Sequence, residues 1–545
     1  MKKRIVSFTL IVSIFLLTMF GFTLRPGLSF GKSNPEKIAN LPYGITTIFV
    51  SGKYIFVGTK TGFFVSTNSG SNFVERDKGL ADLEITGVVF LGGKIFLGTA
   101  NAGLYVSSDI GKTWVSLMDK LNCPTISSVK TDGSRIFVTS LCTGFHYSDD
   151  LGKTWMERNG GLPTLRTTAF IETPQGRCFL GTDQYGLFYS DTLGENCKWN
   201  KFFDKYTITS LSYVGNNLLI GTNAGIFSGD VMKDHFGKLN FIGGNPYIVS
   251  MCRVMDNVLV AVRDFGIFAT GNGKRFFNLG IDSFSEVSSI YFDEDSNSLF
   301  VGTSEGDLWV LNLSEPFLVS ESSVNVGSIT KGKTGEGDIE ILNLGKGTLV
   351  GKIKSPYFIS FSDNKINGAK PLHFRVDTDS LAEGEYTEPV NLVTNGGNKT
   401  VYVGFKVEKP SSIIIKLKIG SHTAYVNGKS LYLDAPPFIN PKASRTLVPV
   451  RFISEAFGAD VEWDPSERKV TIKMNPTEHH EAKLIELWIG KKTVSVNLQK
   501  KIIDVAPEII PPGRTMVPLR FIVESFGSTV KWDPVNKEIT IVYVP

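Results

Sequence analysis

One short pattern recurs seven times between residues 33 and 315 and constrains the fold of this chain more than any other feature. In each copy an apolar strand ends in Gly-Thr or a close substitute, and a short loop leads to a second glycine before another apolar strand. A period of about 40 residues with several short strands per unit is typical of propeller blades. The seven copies therefore predict a seven-bladed β-propeller, with its second glycines spaced by 39 to 42 residues: Gly62, Gly103, Gly144, Gly186, Gly225, Gly266 and Gly306.

Two details of the repeat predict how the ring is built. Val138-Thr139 and Ala261-Val262 stand where the other units have Gly-Thr. The seventh unit has no fourth strand after Val310, whereas residues 35–43 resemble the end of a fourth strand, as comparison with residues 156–164 shows. We therefore expect the N-terminal segment to complete the seventh blade by strand exchange.

A second pattern lies between the third and fourth predicted strands of several units. Residues 108–114 read S-D-I-G-K-T-W, and residues 149–155 read D-D-L-G-K-T-W. The pattern resembles the Asp-box hairpin of bacterial neuraminidase repeats, which also occurs in sortilin-type receptors and photosystem-II assembly factors. A turn aspartate of this kind accepts hydrogen bonds from its own backbone. We therefore expect Asp109 and Asp150 to be structural.

The Asp-box resemblance does not imply an enzyme. Sialidases with this hairpin also require an arginine cluster and a Tyr/Glu pair, and their Phe/Tyr-Arg-Ile-Pro motif is absent from the sequence. Xyloglucan-cleaving hydrolases typically pair two propellers, whereas the repeat predicts one. The single propeller looks most like the assembly-factor group, and we expect no catalytic residue.

A ligand is expected on the face opposite the Asp-box hairpins. There the loops that lead into each first strand meet the loops between second and third strands, and loops on a rigid scaffold usually carry binding residues. The candidates combine aromatic, carboxylate and guanidinium groups that suit a sugar or a peptide, although each could equally be a solvated loop residue. They are Asp183, Tyr185, Arg263, Asp264 and Phe265.

Two other functions remain open from the sequence. An extracellular glycoside hydrolase could use the carboxylates of this face, Asp183, Asp264 or Glu305, because such enzymes need two of them. An envelope assembly factor would hold another protein there. The expected partner is an unknown glycan, a cell-wall polymer or a surface protein.

All five cysteines lie in the predicted propeller, and none forms a Cys-x-x-Cys pair that would indicate zinc or a redox motif. Disulfides are allowed in an exported protein. Topology places two pairs on common faces of their blades and leaves one cysteine within an apolar strand. We predict the disulfides Cys123–Cys142 and Cys178–Cys197, with Cys252 free.

The N-terminus has the organisation of an export signal. Residues 2–4 are basic, residues 5–24 form an almost unbroken apolar run, and Ser29-Phe30-Gly31 offers a small-x-small cleavage site. Residues 1–31 are therefore predicted to be a signal peptide. The alternative is an uncleaved anchor, since the run approaches the roughly 20 residues that span a bilayer, and the membrane is expected to be contacted only there. Both interpretations predict an extracellular or cell-surface protein.

The repeat ends near residue 315, and residues 316–409 contain short strand-like runs between Gly- and Asn-rich turns. The run at 381–386, followed by a strand, the turn at 395–397 and a further strand, resembles the immunoglobulin-like sandwiches of bacterial surface proteins. Such domains usually act as spacers or binding modules.

The C-terminal part contains an internal duplication. T-L-V-P-V-R-F-I at 446–453 corresponds to T-M-V-P-L-R-F-I at 515–522, and a W-D-P motif follows in both copies. Each copy is predicted to form strands, a short helix opened by proline and stopped by glycine, and a hairpin. The predicted copies span residues 412–474 and 483–545.

This duplicated segment resembles the stalk domain named after the copper amine oxidase N-terminus, which implies display or attachment near the envelope. An oxidase would also need three copper-ligating histidines and a tyrosine-derived quinone. The segment has only His422, His479 and His480, without a helpful arrangement, so no metal and no cofactor are expected. Arg451 and Arg520 are equivalent positions that could contact a polymer, but local ion pairs are the favoured interpretation.

The sequence therefore predicts a mainly β chain: a seven-bladed β-propeller over 33–315, an Ig-like β-sandwich over 316–409 and an α+β duplicated stalk module. A net charge of +4 over 545 residues, without a basic block, gives no reason to expect nucleic acid. The predicted function is that of an exported binding protein without catalytic activity.

Overall fold

The computed structural model describes residues 34–544 except 234–235, 240–243, 282–283, 285, 410–411 and 477–480. Strands make up 54% of it and helices 4%, which confirms the predicted mainly β class. The predicted signal peptide and His479-His480 lie outside the described residues. Within the described ranges, no helix is long and apolar enough to cross a membrane.

Seven four-stranded antiparallel sheets follow one another along residues 36–312, and we call each of them a blade. Within a blade, sequential strands pair as neighbours. The strands of the first four blades, preceded by β1 (Glu36–Asn40), are β2 (Ile45–Ser51), β3 (Tyr54–Thr59), β4 (Gly62–Ser66), β5 (Val74–Glu75), β6 (Ile85–Leu91), β7 (Lys94–Thr99), β8 (Leu104–Ser107), β9 (Val115–Ser116), β10 (Ile126–Thr131), β11 (Ile136–Ser140), β12 (Phe145–Ser148), β13 (Met156–Glu157), β14 (Thr167–Glu172), β15 (Cys178–Thr182), β16 (Leu187–Ser190) and β17 (Asn200–Phe203), with the one-turn helix α1 (Met118–Leu121) after β9.

The remaining three blades repeat this order, except that the last takes its fourth strand from the N-terminus. Their strands are β18 (Ile208–Val214), β19 (Asn217–Thr222), β20 (Gly225–Asp230), β21 (Phe236–Leu239), β22 (Ile248–Val254), β23 (Asn257–Val262), β24 (Gly266–Thr270), β25 (Phe277–Asn278), β26 (Val287–Asp293), β27 (Ser298–Thr303) and β28 (Asp307–Asn312).

The ring closes by strand exchange, as the sequence predicts. Strand β1 pairs antiparallel with β28, and the first strand of the last blade, β26, contacts the first strand of the first blade, β2. The Lys37 ammonium lies 2.8 Å from the Asp307 carboxylate, and the Asn40 amide donates to the same carboxylate. The two ends of the propeller sequence are therefore held in one sheet.

The glycine of each Gly-Thr pair lies against the first strand of the next blade. A Cβ added at Gly98 would lie 2.6 Å from Cγ2 of Ile126, and the same approach recurs between Gly58 and Ile85. The repeat therefore needs glycine because the neighbouring isoleucine occupies the space of a side chain. The glycines in this position are Gly58, Gly98, Gly181, Gly221 and Gly302, and each meets an isoleucine.

Two blades have no glycine at this position, and the blades that follow them have no isoleucine opposite it. Strand pairing places Thr139 and Ala261 at the glycine position. The following blades begin their first strands with Thr167 and Val287 rather than isoleucine. The sequence alignment of Val138-Thr139 with Gly-Thr is wrong by one residue, because Val129 pairs with Val138 and the equivalent pair is Thr139-Ser140.

Hydroxyl groups at the second position of four first strands, those of Thr46, Ser127, Thr209 and Ser288, tie neighbouring blades together. The Thr46 hydroxyl donates to the Ile85 carbonyl at 2.5 Å, and the Thr209 hydroxyl donates to the Ile248 carbonyl at 2.6 Å. Across the closure of the ring, the Ser288 hydroxyl donates to the Ile45 carbonyl at 2.5 Å. These bonds satisfy carbonyls at the edges of the innermost strands, which have no further strand to pair with.

Residues 318–408 form a sandwich around their own core. The strands are β29 (Leu318–Ser320), β30 (Ser323–Thr330), β31 (Thr334–Ile339), β32 (Ile341–Asn343), β33 (Val350–Lys354), β34 (Ile359–Phe361), β35 (Lys365–Asn367), β36 (Leu372–Asp377), β37 (Gly384–Thr394) and β38 (Gly397–Glu408). A five-stranded sheet, β30-β38-β37-β33-β35, faces a three-stranded sheet, β31-β36-β34, and both contribute buried side chains to one cluster.

This sandwich packs directly on the sixth and seventh blades. Phe317 and Leu344 share an apolar cluster with Leu279 of the sixth blade. The Asn257 amide donates to the Asn343 carbonyl at 3.0 Å, so the junction is polar at its edge and apolar inside.

The C-terminal module contains three sheets and two helices. Its elements are β39 (Ile413–Lys418), β40 (Thr423–Val426), β41 (Lys429–Tyr432), β42 (Phe438–Asn440), β43 (Arg445–Pro449), α2 (Val450–Ala456), β44 (Asp460–Asp464), β45 (Lys469–Met474), β46 (Lys483–Trp488), β47 (Thr493–Val496), β48 (Gln499–Ile502), β49 (Glu508–Ile510), β50 (Arg514–Pro518), α3 (Leu519–Ser525), β51 (Thr529–Asp533) and β52 (Glu538–Tyr543). Both helices begin after the predicted prolines, Pro449 and Pro518.

The two copies of the duplication interlock rather than fold side by side. The first strand of copy one, β39, pairs with the last strand of copy two, β52, and β43 pairs with β50. One apolar cluster includes residues of both copies, among them Phe457 and Phe526, whose rings are in contact. The sequence gives the two copies but not this exchange, which makes them a single structural unit.

Candidate functional site

The five candidate residues lie on two loops of the predicted ligand face. Asp183 and Tyr185 belong to the loop between β15 and β16, and residues 263–265 form the loop between β23 and β24. Gly186 ends the first loop with φ of +82°, and a side chain there would collide with the backbone of Phe203. The loop is thus held close to the neighbouring strand and carries Tyr185 at its tip.

Asp183 braces three loops of this face. Its carboxylate accepts hydrogen bonds from Arg166 at 2.6 Å and 3.0 Å and from the Thr207 hydroxyl at 2.8 Å. Partial burial opposes ionisation of the carboxyl, but these hydrogen bonds and the Arg166 charge hold its pKa below the ordinary value. Asp183 is therefore an ionised group whose acceptor positions are already engaged by the protein.

The second loop presents Arg263, Asp264 and Phe265 to solvent. The Arg263 guanidinium lies 4.0 Å from the ring centroid of Tyr247, which fixes the charge over an aromatic face. Asp264 has φ of +65° at the tip of the loop. The Phe265 carbonyl accepts a hydrogen bond from the Asn278 side chain, so this loop is also anchored to its own blade.

Exposed apolar side chains recur around this face. Tyr185 and Phe265 were candidates from the sequence, whereas three further residues of this kind, Tyr43, Leu83 and Leu165, were not. All five are between 39% and 50% exposed, although burial of such side chains is normally favourable. We call these five residues the apolar rim.

A positional signal in the repeat could have revealed the missed residues. Tyr43, Leu83 and Leu165 each stand two residues before the first strand of a blade. The same position holds Tyr206 before β18 and Pro246 before β22. An apolar residue in a loop that precedes a buried strand is easily mistaken for the start of that strand, which is why its exposure was missed.

On the opposite face, the turn carboxylates of Asp109 and Asp150 bond to residues of their own turns. The Asp109 carboxylate accepts from the Thr113 hydroxyl at 2.6 Å, from the Thr113 amide at 2.9 Å and from the Ser107 hydroxyl at 2.8 Å. Asp150 makes the same set of bonds with Thr154 and Ser148. These hydrogen bonds lower the pKa of each carboxyl to about 2.

Only one of the two expected disulfide bonds is present among the described residues. Cys123 and Cys142 are joined by a disulfide across the ligand-face loops of the third blade, with their Cα atoms 5.7 Å apart. Cys178 and Cys197 are free, contrary to the expected pairing. Both belong to one apolar cluster, but the Cys197 thiol is directed to the Ser190 hydroxyl at 3.6 Å. Cys252 is free, as expected.

The histidines and the two equivalent arginines of the C-terminal module were its other candidates for chemistry, and the described residues show the local contacts of most of them. Among the described residues, no group of three or more His, Cys, Asp and Glu side chains could hold a metal ion. Arg451 lies 3.7 Å from Glu455, and Arg520 lies 3.9 Å from Glu524, one helical turn away in each case. The His422 Nδ1–H donates to the Leu433 carbonyl at 2.7 Å, and the imidazole ring stacks on Tyr432.

Comparisons with known families identify one part of the chain. The model of the copper amine oxidase N-terminal domain matches residues 390–472 and 430–541. No curated protein matches the sequence.

Several solved structures are similar to this chain at low sequence identity. YCF48 bound to D1 peptide has a TM-score of 0.42 and 14% identity, covering 53% of this chain and 99% of that chain. YCF48 from Cyanidioschyzon merolae has a TM-score of 0.41 and 13% identity, covering 51% and 98%. The extracellular domain of the putative one component system BT4673 from B. thetaiotaomicron has a TM-score of 0.44 and 11% identity, covering 93% and 82%.

Proposed function

We propose that this chain is an exported binding protein of the cell surface, whose propeller holds a protein ligand on the apolar rim and whose C-terminal module attaches it to the envelope. The observation that carries the proposal is the rim itself, five half-exposed aromatic and leucine side chains on one face. Aromatic residues at the centre of a surface patch contribute most to protein–protein binding. The leucines favour a protein segment over a bare sugar, because an aliphatic side chain offers no flat ring for stacking.

Export is supported by two independent features. The basic and apolar N-terminal residues have the organisation of a signal peptide. The disulfide between Cys123 and Cys142 is of the kind that persists in oxidising compartments outside the cytoplasm. The family of the C-terminal match supports placement at the cell surface.

We infer a binding role rather than hydrolysis from the state of Asp183. A glycoside hydrolase needs a free carboxylate as base or nucleophile and a second as acid. The Asp183 oxygens are engaged by Arg166 and Thr207. Freeing them would release the loops that the carboxylate joins, so Asp183 serves better as a brace than as a reacting group.

Site-specific photo-crosslinking tests the proposal. A photoreactive phenylalanine analogue is placed at Tyr185 or Phe265 in the full chain and exposed to light in the cells that produce it. A matched control carries the analogue at Val115, an exposed apolar residue of the outer strand β9. We expect a discrete crosslinked protein at both rim positions and none at Val115. Equal crosslinking at all three positions, or none at the rim, contradicts the proposal.

A further inference from the structure

A groove of about 650 Å³ lies between the two copies of the C-terminal module. Copy one contributes Arg445, and copy two contributes Asp504, Arg520, Glu524 and Trp532. The volume is in the range of small-molecule binding sites. Because both copies line it, neither copy alone could form this groove.

The groove combines an accessible indole with two ion pairs. Trp532 is 46% exposed, although indole is among the side chains with most to gain from burial. The Arg445 Nε donates to the Asp504 carboxylate at 2.7 Å and thereby joins the two copies at the lip. Arg520 and Glu524, on one face of α3, line the same groove at 3.9 Å from each other.

The same set of side chains recurs at the equivalent positions of the other copy. Arg514 of copy two donates to Asp434 of copy one at 2.9 Å, which repeats the Arg445–Asp504 contact with the copies exchanged. Trp463 is 39% exposed. Arg451 and Glu455 repeat the helical ion pair. The interlocked duplication therefore repeats the polar and indole lining of the groove, from which we infer a second, matching groove, and we call the two the twin grooves.

We propose that each of the twin grooves binds a segment of a neutral glycan polymer, with Trp532 or Trp463 stacking on the apolar face of a sugar ring. The proposal rests on the proposed function, in which this module attaches the chain to the envelope, and it names the ligand of that attachment. The guanidinium and carboxylate pairs donate to and accept from sugar hydroxyls, as polar groups placed around an apolar surface do in ligand pockets.

Charge balance selects a neutral polymer. Each groove contains two arginines and two carboxylates in pairs, so their charges cancel. The first groove also has Lys501 at its edge, but Leu431 occupies the equivalent position in copy one. The features common to both grooves therefore give no net attraction for a polyanion.

Duplication itself favours a repeating ligand. Two like sites on one rigid module engage a polymer that presents the same unit many times, whereas a folded partner protein presents a given segment once. Linked sites raise the overall affinity by roughly a hundredfold or more when both are occupied together. Weak individual sites would thus be sufficient for attachment to an insoluble glycan.

Calorimetric titration of the purified full-length protein tests the inference, with cellohexaose and the hexamer of N-acetylglucosamine as probes. We expect one of these hexasaccharides to bind saturably at two sites per chain. Trp532→Ala should leave one site, and the Trp463→Ala/Trp532→Ala double variant should leave none while circular dichroism shows that it remains folded. Val535→Ala is the matched control, since this side chain is 87% exposed on the hairpin that follows Trp532 and does not line the groove.

Three outcomes would overturn the inference: no saturable binding of either hexasaccharide, binding that survives the double tryptophan substitution, or groove-dependent binding of a peptide in place of a glycan. The Tyr185→Ala/Phe265→Ala variant keeps this test separate from the propeller function. Glycan binding should be unchanged in it. Absence of rim crosslinking in the otherwise unchanged chain, with intact glycan binding, contradicts only the propeller proposal, and rim crosslinking without glycan binding contradicts only the twin grooves.

Discussion

Gly221 lies against Ile248 of the next blade so closely that a Cβ at residue 221 would be 2.6 Å from Cγ2 of the isoleucine. The next unit of the same ring shows the alternative solution, because Ala261 stands at the glycine position and the following blade begins with Val287. A small residue on one blade and a large residue on the next are thus two parts of one contact.

We predict that Gly221→Ala destabilises the propeller and that it costs less in an Ile248→Ala background, where the Cγ2 that meets the new methyl group is gone. Overpacking of a close contact typically costs about 1–3 kcal/mol, and Ile→Ala alone costs about 2–5 kcal/mol. In the double variant the two changes should be less than additive, because the residues are in contact. Thermal and urea unfolding of the four proteins of this cycle measures the coupling.

The control for this cycle is Gly237→Ala in the same blade. A Cβ at Gly237 would meet no atom within 4 Å, so its melting temperature should be near that of the parent protein. If Gly237→Ala is as destabilising as Gly221→Ala, backbone effects rather than the Ile248 contact explain the repeat glycine. Strict additivity in the double variant would lead to the same conclusion.

We expect deletion of residues 34–42 to lower the melting temperature sharply. It removes the strand that pairs with β28 and leaves the Asp307 carboxylate without its bonds from Lys37 and Asn40. Asp307→Asn, which keeps the shape and loses the charge, should have a smaller effect. Differential scanning calorimetry compares the two variants, and an unchanged melt after the deletion would mean that the ring does not depend on this closure.

The repeat made the propeller predictable because every unit must meet its neighbour in the same way. Gly98 and Ile126 recur in register with their counterparts, and so the period alone indicates sheets that pack face to face. The one-residue error at Val138-Thr139 arose where the unit lacks glycine. There the sequence has no marker, and only the pairing of Ser128 with Thr139 fixes the register.

Other features depend on contacts between distant segments and could not be obtained from local pattern. The duplication predicted two like copies, but not that β39 would pair with β52 of the other copy. Asp183 was a good candidate by residue type, yet one of its oxygens accepts from Arg166 and the other from Thr207, which lie 17 and 24 residues away. The leucines of the rim, Leu83 and Leu165, have no chemistry that marks them until their exposure is known.

The carboxylates of Asp109 and Asp150 should give the propeller a stability that is lost in acid. Their pKa values are about 2 in the folded protein, below the ordinary value of 3.8. A carboxyl with a depressed pKa stabilises the folded state above its unfolded pKa, and this contribution disappears as the pH falls from about 4 to about 2. In Asp109→Asn/Asp150→Asn the melting temperature should therefore be lower at pH 6 and should fall less between pH 4 and pH 2.

Circular dichroism melts across this pH range measure the difference between parent and variant. The control is crosslinking at Tyr185 in the folded variant. Because Asp109 and Asp150 lie on the face opposite the apolar rim, this crosslinking should persist. Parallel pH profiles of parent and variant would show that the folded-state pKa values of these two carboxyls are not depressed.

The three free cysteines should react more slowly with an alkylating reagent than an exposed thiol does. Burial raises the pKa of Cys178 and of Cys252 to about 12, and it also raises the pKa of the partly buried Cys197. Since the thiolate is the reactive species, we expect iodoacetamide at pH 8 to leave Cys178 and Cys252 unmodified in the folded protein and to alkylate both after denaturation.

Peptide mapping without reduction should recover Cys123 linked to Cys142. Rapid native labelling of Cys252, which is only partly buried, would contradict its raised pKa. A Cys178–Cys197 peptide would show that these two thiols, which share one apolar cluster, do pair in the purified protein.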